Sequence, residues 1–157
     1  MAVHPEAKLP HRPETGFQSL PAAGAALAPR LVAFFGTNRE RYHSADEVAC
    51  FTGIAPVRER SGKRDWIHFR YACPKFVRQT FHEYASHSIG QSAWARAYYD
   101  QQRAQGSDHH AAVRALAFKW IRILFRCWKD RKPYDEPTYI QALRRRGSKL
   151  ADALANA

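Results

Sequence analysis

A serine and a glycine lie side by side among basic residues, in the stretch A-P-V-R-E-R-S-G-K at positions 55–63. A serine hydroxyl is a poor nucleophile until a base takes its proton or nearby groups stabilise the charge of the transition state. The groups near Ser61 that could do so are the cations Arg58, Arg60, Lys63 and Arg64. Cations neutralise the non-bridging oxygens of a phosphodiester, so the pattern suits phosphoryl transfer and suits acyl transfer poorly. The alternative is an ordinary Ser-Gly turn.

The residues on both sides of Ser61 predict a β-hairpin with the serine at its tip. The run W-I-H-F-R-Y at positions 66–71 alternates its side chains as an antiparallel strand does. Upstream, Pro56 disfavours helix at the residue before it, so the chain runs extended through Val57. Gly62 suits a tip that takes positive φ, a conformation that other residues adopt at a cost of about 1 kcal/mol or more.

Helical patterns dominate the rest of the chain. Ser44 and Glu47 form a capping box before a short helix, in which Val48, Ala49 and Phe51 are predicted to face inward. The longest and most apolar pattern, at positions 109–128, is predicted to be the central core helix. The predicted fold is therefore mainly α, with a helix-hairpin-helix-like start, a small β-hairpin carrying the Ser-Gly turn, and a helical bundle around one long apolar helix.

The charge of the chain favours a polyanionic partner. Lys and Arg number 25 against 14 Asp and Glu, a net charge of +11, which points to nucleic acid or, less commonly, to an acidic membrane surface. A turn ending at Gly24 could hold a phosphate as a helix-hairpin-helix does, or form a plain αα-corner. A basic stripe on the core helix could follow a phosphate backbone, or be a solvated face. The candidate nucleic-acid-binding residues are Gly24, Arg58, Arg60, Gly62, Lys63, Arg64, Lys75, Arg78, Lys119, Arg122 and Arg126.

The sequence predicts neither a metal site nor a disulfide framework. The three cysteines have no C-x-x-C spacing, so buried free thiols are predicted. His82, His109 and His110 have no acidic or cysteine partner at ligand spacing, so no metal is predicted in this chain. The N-terminus lacks the apolar stretch of a signal peptide and no run of eighteen apolar residues exists, which predicts a cytoplasmic protein without a membrane partner. Residues 1–15 are predicted to be a disordered lead, 16–150 one domain and 151–157 a frayed tail.

Four segments together resemble the C-terminal domain of a large family of bacterial insertion-sequence transposases. They are F-Q-S-L-P-A-A-G at positions 17–24, S-A-D-E-V-A-C-F-T-G-I-A-P-V-R-E-R-S-G-K at 44–63, A-C-P-K-F-V-R-Q-T-F at 72–81 and H-H-A-A-V-R-A-L-A-F-K-W-I-R-I-L at 109–124. The family consists of serine recombinases with a resolvase-like DEDD domain, guided by a bridge RNA. The resemblance covers about positions 16–150, and G-I-A-P followed by S-G is its most specific part.

The resemblance implies that Ser61 is the nucleophile that becomes linked to a DNA strand end. It also implies that the helices bind donor or target DNA and the guide RNA, and that protomers assemble with each other or with a full-length transposase. In a bacterial cell such a protein would be nucleoid-associated. Cys73 and Pro74 stand where many relatives have a Gly-Asn pair.

The family's N-terminal half, whose four acidic residues bind metal beside the serine, has no counterpart in this sequence. A divalent metal such as Mg²⁺ is therefore implied only for that missing half. The chain is interpreted as a truncated transposase, a remnant, or the product of a split gene. Two alternatives are a non-catalytic nucleic-acid-binding module, which could inhibit a full-length transposase, and a helix-hairpin-helix repair factor.

Overall fold

The computed structural model describes residues 17, 19–68 and 70–155, and in this part of the chain it is mainly helical with one small hairpin. The elements are α1 (Gly24–Phe35), α2 (Ala45–Thr52), β1 (Val57–Ser61), β2 (Arg64–His68), α3 (Lys75–Ser88), α4 (Ala93–Ala104), α5 (His109–Asp130), α6 (Glu136–Arg145) and α7 (Lys149–Ala155). This confirms the predicted class, a mainly α fold with a β-hairpin. The predicted lead at 1–15 lies outside the described residues, and none of the described helices could cross a membrane.

Helix α5 lies between α2, α3 and α4 and contacts all three. Three tryptophans anchor the core around it, and each indole N–H has a hydrogen-bond acceptor, as buried polar groups require. Trp94 donates to the Tyr134 hydroxyl at 2.7 Å, and Trp120 donates to Ser88 Oγ at 2.8 Å. Trp128 donates to the carbonyl of Gly36 at 2.7 Å and so ties the end of α1 to the core.

The 22-residue helix α5 is amphipathic, whereas the sequence predicts one long apolar helix. Its buried face carries nine residues, which are Ala112, Val113, Leu116, Ala117, Trp120, Ile121, Leu124, Cys127 and Trp128. The rest of its surface carries arginines and lysines, because three neighbouring helices do not cover the whole circumference.

Ser44 caps helix α2 as predicted, and Glu47 reaches back to the residue before the cap. Ser44 Oγ accepts from the Glu47 N–H at 3.1 Å, and the Glu47 carboxylate accepts from the His43 N–H at 2.8 Å. The prediction that Phe51 faces inward is wrong, because its side chain is 46% exposed while Thr52 is buried. Since neighbours on a helix lie 100° apart, the buried stripe passes through 48, 49 and 52 and leaves position 51 at its edge.

The cysteines differ from the prediction of three buried thiols. Cys127 is buried, Cys73 is half-buried and Cys50 is exposed. Where the sequence predicts a frayed tail from position 151, the structure has α7, in which Leu150 and Ala151 are buried. Helix α7 packs against α4 and α6, which explains how so short a helix is held.

Candidate functional site

Ser61 is the last residue of β1, directly before the turn of the hairpin, as predicted. The register pairs Ser61 with Arg64 and leaves Gly62 and Lys63 as a two-residue connection. Gly62 has φ +60°, and its position first in the loop is typical of a type II′ turn. All five residues of each strand are exposed or half-buried, so the hairpin projects from the connection between α2 and α3.

Strand alternation divides the four predicted cations between two faces of the hairpin. Directly paired residues share a face, and so do residues two apart on one strand. Ser61 therefore lies on the same face as its partner Arg64 and as the pair Glu59 and Trp66. The other face carries Arg58, Arg60, Asp65 and Ile67. Sequence proximity therefore overstated the basic surroundings of Ser61, since Arg58 and Arg60 point away from its hydroxyl.

Asp65 binds the two arginines of the opposite face. Arg58 donates to both carboxylate oxygens of Asp65, with Nε 2.9 Å from each, and Arg60 Nε lies 3.6 Å from Oδ2. The hydrogen bond from Arg58, aided by Arg60, lowers the pKa of the Asp65 carboxyl. These contacts link the strands across the face and leave Arg64 and Lys63 as the cations beside Ser61.

No general base contacts Ser61 among the described residues. Glu59 shares its face, but the Glu59 carboxylate lies 3.4 Å from Nε2 of His68, toward the base of the hairpin. His68 in turn stacks on Tyr71, with ring centroids 6.2 Å apart. The arrangement places a hydroxyl and two cations on one exposed face, where a phosphate could approach them.

Lys75 and Arg78 line a cleft of about 470 Å³ at the base of the hairpin. Tyr71, His82 and Arg114 also line it, so α3, α5 and the loop after β2 each contribute. Burial lowers the pKa of Arg114, the negative charge of Asp108 opposes this shift, and the positive charge of Arg78 adds to it. Two guanidinium groups thus share one partly buried space.

We call the cleft lined by Tyr71, Lys75, Arg78, His82 and Arg114 the basic cleft, and His110 lies beside His82 there. The rings of His82 and His110 lie 5.9 Å apart. Burial lowers the pKa of His82, a hydrogen bond with the His110 backbone opposes this shift, and the charges of His110, Arg114 and His109 add to it. No three His, Cys, Asp or Glu side chains in residues 17, 19–68 and 70–155 are grouped so as to hold a metal ion.

The predicted stripe on α5 is largely occupied by contacts within the fold. Lys119 lies over the ring of Tyr98, 4.7 Å from its centroid, and burial lowers the pKa of Lys119. Arg122 lies 3.6 Å from the carboxylate of Asp46 on α2. Arg126 is exposed, and the structure records no hydrogen bond or ion pair between it and another described residue. Of the three candidates, Arg126 is thus the one left to meet a ligand.

Gly24 does not join the other candidates. It is the first residue of α1, and the nearby Ala22 N–H donates to the Gln91 side chain, just beyond the C-terminal end of α3. Lys75, at the start of the basic cleft, lies at the opposite end of α3, about 20 Å away for a 14-residue helix. Ahead of Gly24, the described residues form turns rather than a first helix, so a helix-hairpin-helix is not shown.

Tyr71, His82 and Arg114 belong to the site but were not among the sequence candidates. One signal was available, because Lys75, Arg78 and His82 recur at helical spacing and must share a face of α3. Arg114 gave no such signal, since its approach to Arg78 depends on how α5 packs against α3.

Comparisons with known proteins agree on one family. The model of the Transposase IS116/IS110/IS902 family matches residues 15–100, a region that contains the hairpin, Lys75 and Arg78. A candidate transposase of the mini-circle IS117 from Streptomyces coelicolor is 28% identical over 118 residues, 75% of this chain and 28% of that protein. The 42 kDa protein of insertion element IS900 from Mycobacterium paratuberculosis is 31% identical over 138 residues, 84% of this chain and 33% of that protein. The 44.8 kDa protein of insertion element IS116 from Streptomyces clavuligerus is 28% identical over 116 residues. The chain thus spans about a third or less of the length of these relatives.

Proposed function

Because the chain belongs to the Transposase IS116/IS110/IS902 family, we propose that it is the part of a transposase that supplies the serine nucleophile for DNA strand transfer. Ser61 is the nucleophile in this proposal, and the surrounding helices bind DNA, with a guide RNA as a further partner. The full reaction uses other protomers or a full-length transposase, and places the protein at the bacterial nucleoid.

The observation that carries the proposal is the placement of Ser61 at the tip of a projecting hairpin, across the strands from Arg64. A nucleophile must reach a phosphorus atom within a duplex or a strand, and an exposed tip makes that approach free of steric obstruction. The Arg64 guanidinium can lie against a non-bridging oxygen of the phosphate that Ser61 attacks. Lys63, in the turn, adds a second positive charge.

The proposed step exchanges one phosphate ester for another. Ser61 Oγ bonds to the scissile phosphorus and the bond from phosphorus to the 3′ oxygen breaks. The phosphate remains on the serine with the 5′ side of the strand, the 3′ oxygen takes up a proton, and the serine proton is released. Arg64 stabilises the charge on the non-bridging oxygens during this exchange.

We further propose that the acidic, metal-binding half of the family's DEDD type must come from another polypeptide or segment. The described residues gather no set of carboxylates that fits Mg²⁺, so no step is assigned to a metal held by them. The metal, when bound by that half, would polarise the phosphate.

A covalent-trapping experiment tests the role of Ser61. The chain is mixed with the acidic half of a relative, Mg²⁺ and labelled DNA from the ends of the insertion element, and adducts resistant to denaturation are counted. Wild-type protein and the control Ser86→Ala, a half-buried serine on α3, should form an adduct, with the label on the peptide containing Ser61. An adduct that persists in Ser61→Ala, or no adduct with wild type, would overturn the proposal.

A second candidate is a non-catalytic nucleic-acid-binding domain that occupies transposon ends or inhibits a full-length transposase. The basic cleft favours it, because that cluster lies at the base of the hairpin and needs no chemistry from Ser61. Binding that weakens with salt in wild type and in Ser61→Ala alike, without any adduct, is the result this candidate predicts. An adduct on Ser61 would exclude it.

A further inference from the structure

We propose that the basic cleft is a binding subsite for a phosphodiester of a nucleic-acid strand, with a neighbouring base stacked on Tyr71. The inference extends the proposed function, since this strand would be the one on which Ser61 acts. Its evidence comes from the cleft itself, independently of the serine.

The first argument is the excess of positive charge. Lys75, Arg78 and Arg114 line the cleft, and its one acidic lining residue is Glu83. Both carboxylate oxygens of Glu83 have partners already, since Oε2 accepts from Arg30 at 3.0 Å and Oε1 accepts from Gln79 at 2.6 Å. Asp108 offsets part of the charge of Arg114, but the cations at the cleft still outnumber the carboxylates near them, so an anion would relieve their mutual repulsion.

The second argument is geometric. The ammonium group of Lys75 makes no hydrogen bond or ion pair within the described part of the chain, whereas Arg78 is held by a 3.3 Å hydrogen bond from Nη1 to the Arg70 carbonyl. One cation is thus fixed and the other is free to turn toward a ligand. Both lie in the first four residues of α3, whose first turn carries no acidic side chain and whose positive dipole end also favours an anion.

The third argument concerns the base. Tyr71 is 80% exposed, and its ring lies nearly parallel to the His68 ring at the edge of the cleft. Exposed aromatic rings beside positive charge are the usual platform for unpaired bases, because every base has a face that stacks. The volume of about 470 Å³ accommodates a phosphate and part of its sugar.

The hairpin sets the spacing between the cleft and Ser61. From Val57 at its base to Ser61 at its tip are four residue steps, or about 14 Å at the rise of a β-strand. A DNA strand with a B-form rise covers that distance in about four nucleotides. A strand whose scissile phosphate meets Ser61 would therefore place a phosphate about four nucleotides away at the cleft.

The test measures binding of the whole chain in a Ser61→Ala background, so that chemistry plays no part. The probes are a labelled single-stranded deoxythymidine decamer, the matching uridine decamer and an abasic deoxyribose-phosphate decamer. Lys75→Gln should weaken binding of all three by about fivefold at low salt and reduce the salt slope by about 0.7, the value for one single-strand phosphate contact. Arg78→Gln should do the same.

Two comparisons separate the subsite from general charge. Lys149→Gln makes the same charge change on α7, which packs against α4 and α6, and should leave the affinity within twofold. Tyr71→Ser should weaken the two decamers that carry bases and leave the abasic probe unchanged. Stronger binding of either deoxythymidine or uridine identifies which nucleic acid the subsite serves.

The proposal is overturned if Lys75→Gln and Lys149→Gln have equal effects, or if Tyr71→Ser weakens the abasic probe as much as the others. Lys75 makes no hydrogen bond or ion pair with residues 17, 19–68 and 70–155, so its variant should fold even if Arg78→Gln does not. Loss of the subsite effect together with a Ser61 adduct would refute this inference alone. The subsite effect without any adduct would refute the nucleophile and leave the subsite standing.

Discussion

Replacing Arg64 should impair strand transfer far more than replacing Arg60, although both residues lie within three positions of Ser61. We expect Arg64→Gln to slow formation of the serine adduct by about tenfold to a hundredfold, and Arg60→Gln to slow it by twofold at most. The two substitutions remove the same charge from the same hairpin. Their difference therefore measures which face of the hairpin meets the phosphate.

The expected slowing by Arg64→Gln follows from the register of the two strands. Residues paired across two antiparallel strands have Cβ atoms about 4.5–5.5 Å apart, so the Arg64 side chain can reach the phosphate that Ser61 would attack under the proposed function. Removing one preorganised donor to a transition-state oxyanion costs about 10²–10³ in rate in enclosed sites. The hairpin is exposed to water, which screens the charge, so the lower part of that range and values below it are expected.

The small slowing expected for Arg60→Gln has two reasons: Arg60 lies on the face opposite Ser61, and it is paired with Asp65. A guanidinium on the far side of the hairpin is about 10 Å from the phosphate, and a unit charge at that distance in water changes a rate by about twofold. Physiological salt, with a Debye length of about 8 Å, reduces this further. Arg60 also lies 3.6 Å from the Asp65 carboxylate, which offsets its charge.

Single-turnover kinetics at saturating DNA give the rate of adduct formation separately from binding. Asp65→Asn is the matched control, because it removes the carboxylate that binds Arg58 and Arg60 without touching the face of Ser61. It should tighten DNA binding by freeing two cations, and it should leave the adduct rate within twofold, because ion pairs this exposed add little to the stability of the hairpin. Equal slowing by Arg60→Gln and Arg64→Gln would refute the assignment of faces.

Three further predictions concern the fold. A Cβ at Gly53, where φ is +73°, would lie 2.5 Å from Cys73 Sγ. In urea titrations Gly53→Ala should therefore lower the free energy of unfolding by about 2–3 kcal/mol, but by only about 1 kcal/mol in a Cys73→Gly background. Equal losses in the two backgrounds would exclude the clash with Cys73. Because burial lowers the pKa of His82 in the folded state, the unfolded chain binds more protons, and the stability of the fold should fall as pH drops below about 6.5. In thermal melts at several pH values, His82→Gln should show a shallower fall of stability than wild type. Identical slopes would contradict the lowered pKa of His82. Burial raises the pKa of the Cys127 thiol to about 11, so iodoacetamide at pH 8 should alkylate exposed Cys50 at least a hundredfold faster than Cys127. Peptide mass spectrometry measures the two rates. Comparable rates would mean that Cys127 is not enclosed.

The local signals in the sequence predicted local structure well. The Ser44 capping box, the hairpin and its Ser-Gly turn all follow from residues within a few positions of each other, and each is observed. The errors arise where the outcome depends on packing. Phe51 is exposed because the neighbours of α2 cover a narrower stripe than its apolar residues suggest, and Cys50 is exposed on the same helix.

The candidate site was predicted in part for the same reason. The position of Ser61 at a hairpin tip is a local property. The face on which Arg58 and Arg60 lie depends on the register of the two strands, and a shift of one residue would move their side chains to the opposite face. The stripe on α5 was identified correctly as basic, but Lys119 and Arg122 pack against residues of α4 and α2 that periodicity cannot assign. Three residues of the basic cleft share a helical spacing in the sequence, but their approach to position 114 depends on how α5 packs against α3.

The hairpin that carries Ser61 is held chiefly by contacts between its own strands. Its Ile67 is 69% exposed and its Trp66 is 43% exposed, so little apolar burial fixes it against the helices. A two-stranded hairpin alone is marginally stable in water, and the ion pairs of Asp65 join its strands to each other rather than to the body. The body fixes the base of the hairpin at the basic cleft, and the tip about 14 Å away has no such support. Attack on phosphorus requires the hydroxyl to be held in line. Under the proposed function, the bound strand and the proposed acidic half would therefore complete the positioning of Ser61, and the rate of adduct formation should depend on both.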